Sequence, residues 1–255
     1  MKVALVTAGS GGIGREIVNR LIDERYCVAV TSRSIEKLKI VFSHVPPTMI
    51  LYLETNLTDV NSCHEAVEKT VKHFSQLNLL VNNAGGGTLY QTIEQATQQS
   101  FNDAFDLNVK SCFFMTQYCV PYLIETKGCV INFSSVLASR PAVGLGPYSA
   151  AKAAVEMLTK TVALELAPKG VRVLCVAPTA IETEFHVNAG MSVEEAKKYY
   201  ESCARTHPLG RVGNVKDIAE LVLFLSSSKA SYMTGSVIHV DGGRLLTSST
   251  TLPST

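Results

Sequence analysis

The sequence predicts an α/β fold, a single doubly wound sheet of seven parallel strands with helices on both faces. Short runs of β-branched and other apolar residues alternate along the chain with longer stretches that carry apolar residues at helical spacing. Most of the short runs are apolar almost throughout, which is typical of parallel strands covered by helices on both faces. No linker or internal repeat interrupts the alternation, so the 255 residues indicate one domain.

The predicted strands share a core of Val, Ile, Leu or Cys and cover residues 3–7, 27–31, 49–53, 78–82, 129–133, 171–177 and 236–240. Between them, amphipathic patterns predict helices at residues 12–24, 35–43, 59–74, 98–124, 148–167 and 215–226. Each strand–helix–strand unit is expected to be right-handed, which distributes the helices over the two faces of one sheet.

Two segments depart from this alternation. Residues 183–210 form a long insertion between a strand and a helix, with a short polar helix expected around Glu194–Cys203. Residues 244–255 are rich in Ser and Thr and are expected to form a flexible tail. The predicted domain therefore covers residues 1–243, and the insertion is expected to cover the substrate.

The composition argues against several classes of partner. The chain has 23 basic and 22 acidic side chains, a formal charge of +1 and no run rich in Lys or Arg, which disfavours nucleic acid or an anionic membrane. Its apolar runs are far shorter than the ~20 residues of a membrane helix, and the first residues show no signal-peptide pattern. Seven cysteines without a CxxC pair suit free thiols, so we expect a cytoplasmic protein. The six histidines lack metal-ligand spacing, and we expect no metal.

The first strand leads into a glycine-rich turn that ends where a helix begins. Glycines let the backbone approach a pyrophosphate, whose charge the amides at the helix N-terminus then stabilise. The alternative is a tight turn without a ligand, but the position between the first strand and the first helix favours a nucleotide site. The turn and its flanks supply Thr7, Gly9, Ser10, Gly11, Gly12, Ile13 and Gly14.

The end of the second strand indicates which nucleotide binds. NAD requires an acidic side chain there, because a carboxylate accepts hydrogen bonds from the ribose 2′-hydroxyl. The sequence has no carboxylate at this place and offers Ser32 and Arg33 instead. A guanidinium can pair with a 2′-phosphate, so the sequence favours NADP(H) over NAD(H). An isolated Arg33 is also consistent with a solvated surface residue.

Tyr148 and Lys152 are four residues apart and share one face of a predicted helix. A tyrosine with its ordinary pKa near ~10 exchanges protons poorly at neutral pH, and a neighbouring ammonium is expected to lower that pKa. The pair would act as a general acid/base beside a carbonyl or an alcohol, with the Ser135 hydroxyl orienting the substrate oxygen. Taken alone, the pair is also consistent with a buried tyrosine beside a lysine that reaches solvent.

A series of motifs resembles those of the classical short-chain dehydrogenases/reductases over about residues 2–243. The motifs are the glycine turn with Thr7, Ala8, Gly12 and Gly14, the Asn82-Asn83-Ala84-Gly85 segment, Asn108, Ser135, the Tyr148/Lys152 pair, and the closing Val240-Asp241-Gly242-Gly243. The resemblance implies a Rossmann-like domain in which NAD(P)(H) transfers hydride to or from a carbon that bears oxygen. It also implies a homotetramer, or a homodimer.

The resemblance assigns roles to individual residues. Asn108, Ser135, Tyr148 and Lys152 are expected to form the catalytic set. In it, Asn108 helps to hold a water chain that resupplies the proton, and Lys152 also contacts the nicotinamide ribose. Further cofactor contacts are expected from Asn56, Leu57, Asn83, Ala84, Gly85, Pro178, Ile181 and Thr183.

Three residues depart from the family pattern. Ala8 and Thr179 each replace a glycine, the first in the cofactor turn and the second near the nicotinamide. Asn56 replaces an aspartate that reads the adenine amino group, and its side-chain carbonyl can still accept a hydrogen bond. None of the three removes a proton-transfer group.

The residues expected around the substrate are largely apolar and comprise Leu89, Tyr90, Leu137, Val143, Leu145, Phe185 and His186. They favour a ketone of apolar or mixed character, and a 3-oxoacyl or broad carbonyl reductase is the first interpretation. An acidic acyl carrier protein needs a basic rim, to which Lys127, Lys169 and Arg172 could contribute.

Three alternatives stay open on the sequence. The first is an NAD(H)-dependent alcohol, steroid or polyol dehydrogenase of the same family. The second is a non-catalytic NADP-binding scaffold protein, which the intact catalytic set disfavours. The third is a methyltransferase, which needs a carboxylate after the second strand and has no use for the Tyr148/Lys152 pair.

Overall fold

A parallel sheet forms the centre of the protein in a computed structural model that describes residues 1–86, 90–188 and 191–247, apart from the side chains of Phe185 and Asn188. Its strands are β1 (Val3–Val6), β2 (Cys27–Ser32), β3 (Ile50–Glu54), β4 (Leu79–Asn82), β5 (Cys129–Phe133), β6 (Arg172–Pro178) and β7 (Val237–Val240). Neighbouring strands are parallel, in the order β3-β2-β1-β4-β5-β6-β7. The predicted fold class is confirmed, and each strand agrees with its predicted bounds to within one residue.

The helices of the described residues are α1 (Gly12–Asp23), α2 (Ile35–Val41), α3 (Val60–Phe74), α4 (Gln98–Phe105), α5 (Ser111–Thr126), α6 (Gly146–Leu166), α7 (Phe185–Asn188), α8 (Val193–Ala204) and α9 (Val215–Ser226). Helix α6 begins two residues before the predicted start, where Pro147 fills a position that needs no amide hydrogen. None of these helices is long and apolar enough to cross a membrane.

The helix predicted over residues 98–124 is divided into α4, a π-helical turn at Asp106–Lys110, and α5. Inside the turn, the Asn108 amide donates to the carbonyls of Ala104 at 2.7 Å and Gly86 at 2.9 Å. A side chain that bonds the main chain in this way accompanies the local widening of the helix. The prediction of one regular helix is therefore wrong, because the apolar pattern continues unchanged through the turn.

Alternate residues of each strand point to opposite faces, so the sheet is covered by two separate apolar layers. On one face α1 and α9 pack on the strands, with Ile17, Val18, Leu21, Ile218, Val222 and Leu225 buried. On the other face α3 and α5 supply Ala66, Val67, Met115, Cys119 and Leu123. The strands are thus apolar on both faces, as their composition predicts.

The chain changes direction between β3 and β4. Strands β1, β2 and β3 follow one another to one side, and the chain then returns to place β4 against β1. At such a switch point the two neighbouring strands lead their loops to opposite faces, and a crevice opens beyond their carboxyl ends. The glycine turn after β1 and the Asn83–Gly86 segment after β4 meet at this crevice.

The insertion between β6 and α9 contains α7 and α8. Ser192 begins α8 with a reciprocal cap, because its hydroxyl accepts from the Glu195 amide at 3.2 Å while its own amide donates to the Glu195 carboxylate at 2.8 Å. After β7, the Asp241 carboxylate accepts from the amides of Gly243 and Leu245 and holds a short 3₁₀ turn at Arg244–Leu246. Residues 248–255 of the expected tail lie outside the described residues.

Candidate active site

The glycine turn is held by the segment that follows β4. The Asn83 amide donates to the carbonyls of Thr7 at 3.0 Å and Ala8 at 3.2 Å, and the Ala84 amide donates to the Thr7 hydroxyl at 3.0 Å. A Cβ on Gly14 would lie 2.7 Å from the Ala8 carbonyl oxygen, so only glycine fits there. The structure thus brings together the turn and the Asn-Asn-Ala-Gly segment, as the resemblance implies.

Ala8 has a left-handed backbone with φ of +53°. This is the conformation in which glycine is free of strain and an L-residue costs about 1–2 kcal/mol. The Ala8 amide donates to the Thr31 hydroxyl at 3.2 Å, which helps to hold this geometry. The turn therefore keeps the shape that the family pattern implies, at the expense of backbone strain at one residue.

Ser10, Ser32 and Arg33 lie at one end of the crevice. The Ser32 hydroxyl donates to the Ser10 hydroxyl at 3.0 Å, which ties the glycine turn to the end of β2. Arg33 is exposed, and within the described part of the chain no carboxylate forms an ion pair with it. An unpaired guanidinium beside two hydroxyl groups suits an anionic group such as a phosphate.

Asn56 does not offer a free acceptor. Its side-chain carbonyl already accepts from the Thr58 amide at 3.2 Å and the Thr58 hydroxyl at 2.9 Å, which uses both lone pairs of the oxygen. An adenine amino group would have to displace one of these bonds. The neighbouring Leu57 is buried and packs in the apolar layer.

The segment after β6 closes the crevice on the other side. Ile181 is buried and pairs with Gly213, and a Cβ on Gly12 would lie 3.4 Å from the Thr183 side chain. Thr183 exchanges hydrogen bonds with the Tyr200 hydroxyl, which donates to the Thr183 carbonyl at 3.1 Å. Thr183 therefore lies beside the glycine turn, and the nicotinamide contacts expected of Pro178, Ile181 and Thr183 stay a prediction.

Lys152 is the most deeply buried charged group of the candidate site, with 3% of its surface exposed. Its ammonium donates to the Phe133 carbonyl at 2.8 Å. Burial lowers the pKa of Lys152 to about 8, while the thiols of Cys112 and Cys175 act in the opposite direction. A Cβ on Gly85 would lie 2.7 Å from the Lys152 nitrogen and 2.8 Å from the Asn108 side-chain oxygen. Glycine is therefore required where these two groups approach the crevice.

Ser135 and Tyr148 form the second half of the site. Ser135 begins a short 3₁₀ turn at Val136–Ala138, where its hydroxyl accepts from the Leu137 amide at 3.2 Å. The Lys152 nitrogen lies 5.6 Å from the centroid of the Tyr148 ring. Burial raises the pKa of Tyr148 to about 12, and the hydrogen bond with Ser135 opposes that rise.

The expectation that Lys152 lowers the pKa of Tyr148 is not met in the polypeptide alone. Burial dominates and moves the pKa of Tyr148 upward, because a phenolate in these surroundings loses the solvation that water gives it. The Lys152 ammonium is directed to the Phe133 carbonyl instead. Tyr148 is consequently a protonated group, suited to donating a proton rather than to abstracting one.

A layer of buried polar groups lies behind Lys152, and the sequence analysis missed it. Asn132 in the middle of β5 accepts from the Asn82 amide at 2.9 Å and donates to the Thr159 hydroxyl at 3.0 Å. Ser134 donates to the Lys152 carbonyl at 3.1 Å and to the Glu156 carboxylate at 2.8 Å. A polar residue inside an otherwise apolar strand, as at Asn132, is the sequence signal that could have found this layer.

The expected substrate residues are only partly assembled. Leu145 is buried, whereas Tyr90 and Val143 are exposed and Leu137 is half-buried. Leu89 and the side chain of Phe185 lie outside the described residues. The His186 ring contacts Tyr199 at 4.3 Å and Tyr200 at 5.5 Å between centroids, and burial lowers the pKa of His186. The sequence analysis did not identify Tyr199 and Tyr200 on α8, the two rings that contact His186.

Arg172 binds two main-chain carbonyls. Its guanidinium donates to the carbonyls of Leu225 at 2.7 Å and Ser227 at 3.2 Å, and so binds the end of α9. These two bonds use only part of the five donors of the guanidinium, and the expectation that Lys127, Lys169 and Arg172 contribute to a basic rim stays a prediction. No group of three or more His, Cys, Asp or Glu residues in the described part of the chain could hold a metal ion.

Comparisons with known proteins agree with this arrangement. A family profile described as "Enoyl-(Acyl carrier protein) reductase" matches residues 7–244. The chain is similar to the 3-oxoacyl-[acyl-carrier-protein] reductase FabG of Thermotoga maritima, with 34% identity over 96% of this chain and 98% of the relative.

Solved structures of similar proteins superpose closely. One is described as ElxO with NADP bound, with a TM-score of 0.89, 29% identity, and coverage of 96% of this chain and 99% of that chain. Another is a 3-ketoacyl-(acyl-carrier-protein) reductase of Brucella melitensis complexed with NADH, with a TM-score of 0.85, 29% identity, and coverage of 95% and 98%. The chain belongs to the short-chain dehydrogenase/reductase family of oxidoreductases.

Proposed function

We propose that the protein is an NADP(H)-dependent reductase of ketones, and that 3-oxoacyl thioesters are its preferred substrate class. The observation that carries the proposal is that Lys152 approaches Asn108 at Gly85 on one side and the Tyr148 ring, next to Ser135, on the other. When bound, the nicotinamide supplies a hydride to the carbonyl carbon. The alternative with NAD(H) and an alcohol, steroid or polyol uses the same groups in reverse.

The side chains divide the remaining chemistry among them. Tyr148, which stays protonated at neutral pH because its pKa is about 12, donates its proton to the oxygen that develops negative charge. Ser135, in hydrogen-bond contact with Tyr148, orients that oxygen. Lys152 is mostly an ammonium at pH 7, because its pKa is about 8, and stabilises the phenolate that Tyr148 leaves behind. Asn108, beside Gly85, holds the water chain that returns a proton to Tyr148.

The preference for NADP(H) rests on Arg33. Its guanidinium, together with the hydroxyls of Ser10 and Ser32, suits a 2′-phosphate, and β2 ends without the carboxylate that an NAD site needs. The glycine turn and the first amides of α1 hold the pyrophosphate. The two similar structures carry different nicotinamide cofactors, so the chain's own residues are the better guide.

The preference for a thioester on an anionic carrier rests on the guanidinium groups of Arg140 and Arg244. Burial lowers the pKa of Arg244, and the positive charge of Arg140, five residues after Ser135, lowers it further. Arg244 is fixed by a 2.7 Å hydrogen bond to the Thr247 hydroxyl. The two guanidinium groups suit the phosphate of a coenzyme A or phosphopantetheine arm.

We further propose a homotetramer in the cytoplasm. Phe101, Phe113, Met157 and Leu164 are exposed along α4, α5 and α6, and exposed apolar side chains on these helices suit contacts between subunits. Size-exclusion chromatography with light scattering is expected to give four chains, and a monomeric mass would contradict this. The seven cysteines are free thiols, six of them buried, which suits a reducing compartment.

The function is tested by following NADPH oxidation with acetoacetyl coenzyme A, ethyl acetoacetate, a steroid ketone and a hexose. We expect turnover of both 3-oxo compounds, with the coenzyme A ester at the higher kcat/KM, and a kcat/KM for NADPH above that for NADH. Turnover of only the hexose or the steroid would contradict the substrate class. An NADH preference would contradict the cofactor assignment, and no oxidation with any ketone would contradict reduction itself.

A further inference from the structure

His207 is a buried imidazole that the proposed chemistry does not use. It lies between α8 and α9, with 2% of its surface exposed. Its Nδ1 lies 2.6 Å from the Cys203 carbonyl oxygen, and its Nε2 lies 3.0 Å from the Thr179 hydroxyl. Both ring nitrogens therefore have partners on different elements of the fold.

The directions of these hydrogen bonds follow from the chemistry of the partners. A carbonyl oxygen only accepts, so Nδ1 carries a hydrogen and donates to Cys203. In the neutral ring Nε2 then has a lone pair, and the Thr179 hydroxyl donates to it. The imidazole thus connects a main-chain carbonyl in the last turn of α8 to a hydroxyl that directly follows β6.

His207 joins the end of α8 to the segment that follows β6, and both elements border the substrate side of the crevice. Thr179 follows Pro178, and its amide donates to the Val240 carbonyl at 3.3 Å, so its backbone is fixed to the sheet. Cys203 lies one turn beyond Tyr199 and Tyr200, the two rings that contact His186. On the remaining side, a Cβ on Gly242 would lie 3.5 Å from the His207 ring, so the turn after β7 packs against the imidazole.

The pair depends on Thr179, one of the residues that depart from the family pattern. The family pattern has glycine at position 179, which offers no hydroxyl. A neutral buried hydrogen bond contributes about 0.5–1.5 kcal/mol, so its loss changes an opening equilibrium by up to about tenfold. Helix α8 is otherwise tied to the nicotinamide side through the Tyr200 hydroxyl and Thr183.

We infer that His207 is a positioning residue that fixes the C-terminal end of α8 over the substrate, acting through the Thr179 hydroxyl and the Cys203 carbonyl. This inference rests on the proposed function, because it takes the space beneath α8 to be the ketone site. The pair sets how tightly the cover closes, and it takes no part in hydride or proton transfer. Its loss therefore weakens ketone binding and leaves the chemical step and cofactor binding intact.

The test compares Thr179→Val, which keeps the shape and removes the hydroxyl, with Thr179→Ser, which keeps the hydroxyl. In the presence of NADPH, we expect Thr179→Val to speed hydrogen–deuterium exchange of the amides at 200–204 by about tenfold. The KM for acetoacetyl coenzyme A rises by a similar factor, while kcat and the Kd for NADPH stay within twofold. Thr179→Ser restores the native exchange rate and KM.

His207→Asn and His207→Gln give a second comparison. The Asn amide replaces only the hydrogen bond to the Cys203 carbonyl, and the Gln amide replaces only the one to Thr179. Neither variant therefore makes both hydrogen bonds. Both are expected to reproduce the raised KM and the faster exchange.

Native exchange and KM in Thr179→Val would overturn the inference. So would a loss of kcat and NADPH affinity in Thr179→Val that Thr179→Ser does not restore, because that pattern indicates a purely structural role. If the native protein reduces no ketone, the proposed function fails, and the exchange measurement still decides whether the pair holds α8.

Discussion

The two sides of the crevice are built in different ways. On the cofactor side, around β1 and β4, the main chain and glycines determine the geometry, as at Gly14, where a Cβ would lie 2.7 Å from the Ala8 carbonyl oxygen. On the substrate side, around β6, α7 and α8, side chains determine it, as in the contacts of Tyr200 with Thr183 and of His207 with Thr179. A site made by the main chain is reproduced whenever the turn forms, whereas a site made by side chains changes with each substitution.

The difference explains what each side can specify. Proton transfer and cofactor binding need fixed groups, and Lys152 and Asn108 are buried and hydrogen-bonded beside Gly85. On the substrate side, the rings of His186, Tyr199 and Tyr200 contact one another on α7 and α8, outside the sheet. Substitutions on the cofactor side therefore test whether the catalytic groups are rigidly placed.

The largest effect is expected for Tyr148→Phe, which removes the proton donor and keeps the ring. A positioned general acid contributes about 10²–10⁴-fold, so we expect kcat for ketone reduction to fall by at least about a hundredfold. The Kd for NADPH, measured by fluorescence titration, stays within twofold. Tyr232→Phe, which alters a fully exposed tyrosine, is the control and keeps native turnover. Substantial turnover by Tyr148→Phe would refute the assignment of the proton donor.

Gly85→Ala is expected to have the next largest effect. The new methyl group would lie 2.7 Å from the Lys152 nitrogen and 2.8 Å from the Asn108 oxygen, so at least one of them must move. A displacement of about 1 Å at a catalytic group can cost about a hundredfold in rate, and we expect a loss of that order in kcat. Gly146→Ala, where a Cβ has no neighbour within 4 Å, serves as the control. Equal activity of the two variants would show that Lys152 and Asn108 are not rigidly placed.

Arg33→Ala tests the proposed contact with the 2′-phosphate on the cofactor side. Loss of an exposed guanidinium that binds a phosphate is expected to raise the KM for NADPH by about tenfold and to change the KM for NADH by less than twofold. Lys39→Ala removes an exposed cation from neighbouring α2 and should change neither constant. If Arg33→Ala affects NADH as much as NADPH, Arg33 does not bind the 2′-phosphate.

The pH dependence of reduction tests Lys152. Its pKa of about 8 makes the ammonium predominant at pH 7, whereas Tyr148, with a pKa of about 12, stays protonated. We expect kcat/KM to be constant near pH 7 and to fall by about tenfold per pH unit once the pH exceeds 8. Lys152→Arg, which keeps its charge, should lack this fall. A native profile that stays flat to pH 10 would contradict the role of the ammonium.

Stability is predicted to change with pH in the opposite direction. The folded pKa of Lys152, about 8, is below the ordinary 10.5 of the unfolded chain, so the unfolded state binds more protons between these values. The contribution of Lys152 to the free energy of unfolding therefore rises with pH across this window. Thermal denaturation at pH 8 and pH 10 measures stability independently of activity. A contribution of Lys152 that lowers the free energy of unfolding above pH 8 would contradict the pKa shift.

The smallest effect is expected for Ala8→Gly. Relief of the left-handed strain at Ala8 exceeds the entropy that glycine adds to the unfolded chain, so we expect a gain of about 0.5–1 kcal/mol in unfolding free energy. Ser75→Gly, at a φ of +63° after α3, should give a similar gain far from the crevice. Urea unfolding measures both. Destabilisation by Ala8→Gly alone would show that the turn needs the alanine methyl group.

The sequence was sufficient for the sheet and for the glycine turn, because both depend on local patterns. Apolar runs locate β1 to β7, and the glycine spacing locates the turn that Thr7 and Asn83 hold. It was not sufficient for the π-helical turn at Asp106–Lys110, because the bond from Asn108 to Gly86 joins residues 22 positions apart. Nor could it show that burial raises the pKa of Tyr148, since that depends on the packing of the whole site.

The substrate side illustrates the same limit. Arg172 resembles any surface cation in the sequence, and only the fold shows that its donors reach the carbonyls of Leu225 and Ser227. Tyr199 and Tyr200 lie in a polar helix that the pattern predicts correctly, yet their contact with His186 is a tertiary one. Side-chain contacts between distant segments are therefore the part of the site that periodicity and motif spacing do not encode.

The central claim is that the hydride goes to a carbon that bears oxygen while Tyr148 protonates that oxygen. It is tested most directly with NADPH carrying deuterium at the transferred position and a 3-oxoacyl thioester as substrate. We predict a 3-hydroxyacyl product with one deuterium on the carbon that bears the new hydroxyl group. No deuterium at that carbon, or a saturated product formed only from an enoyl thioester, would contradict the account.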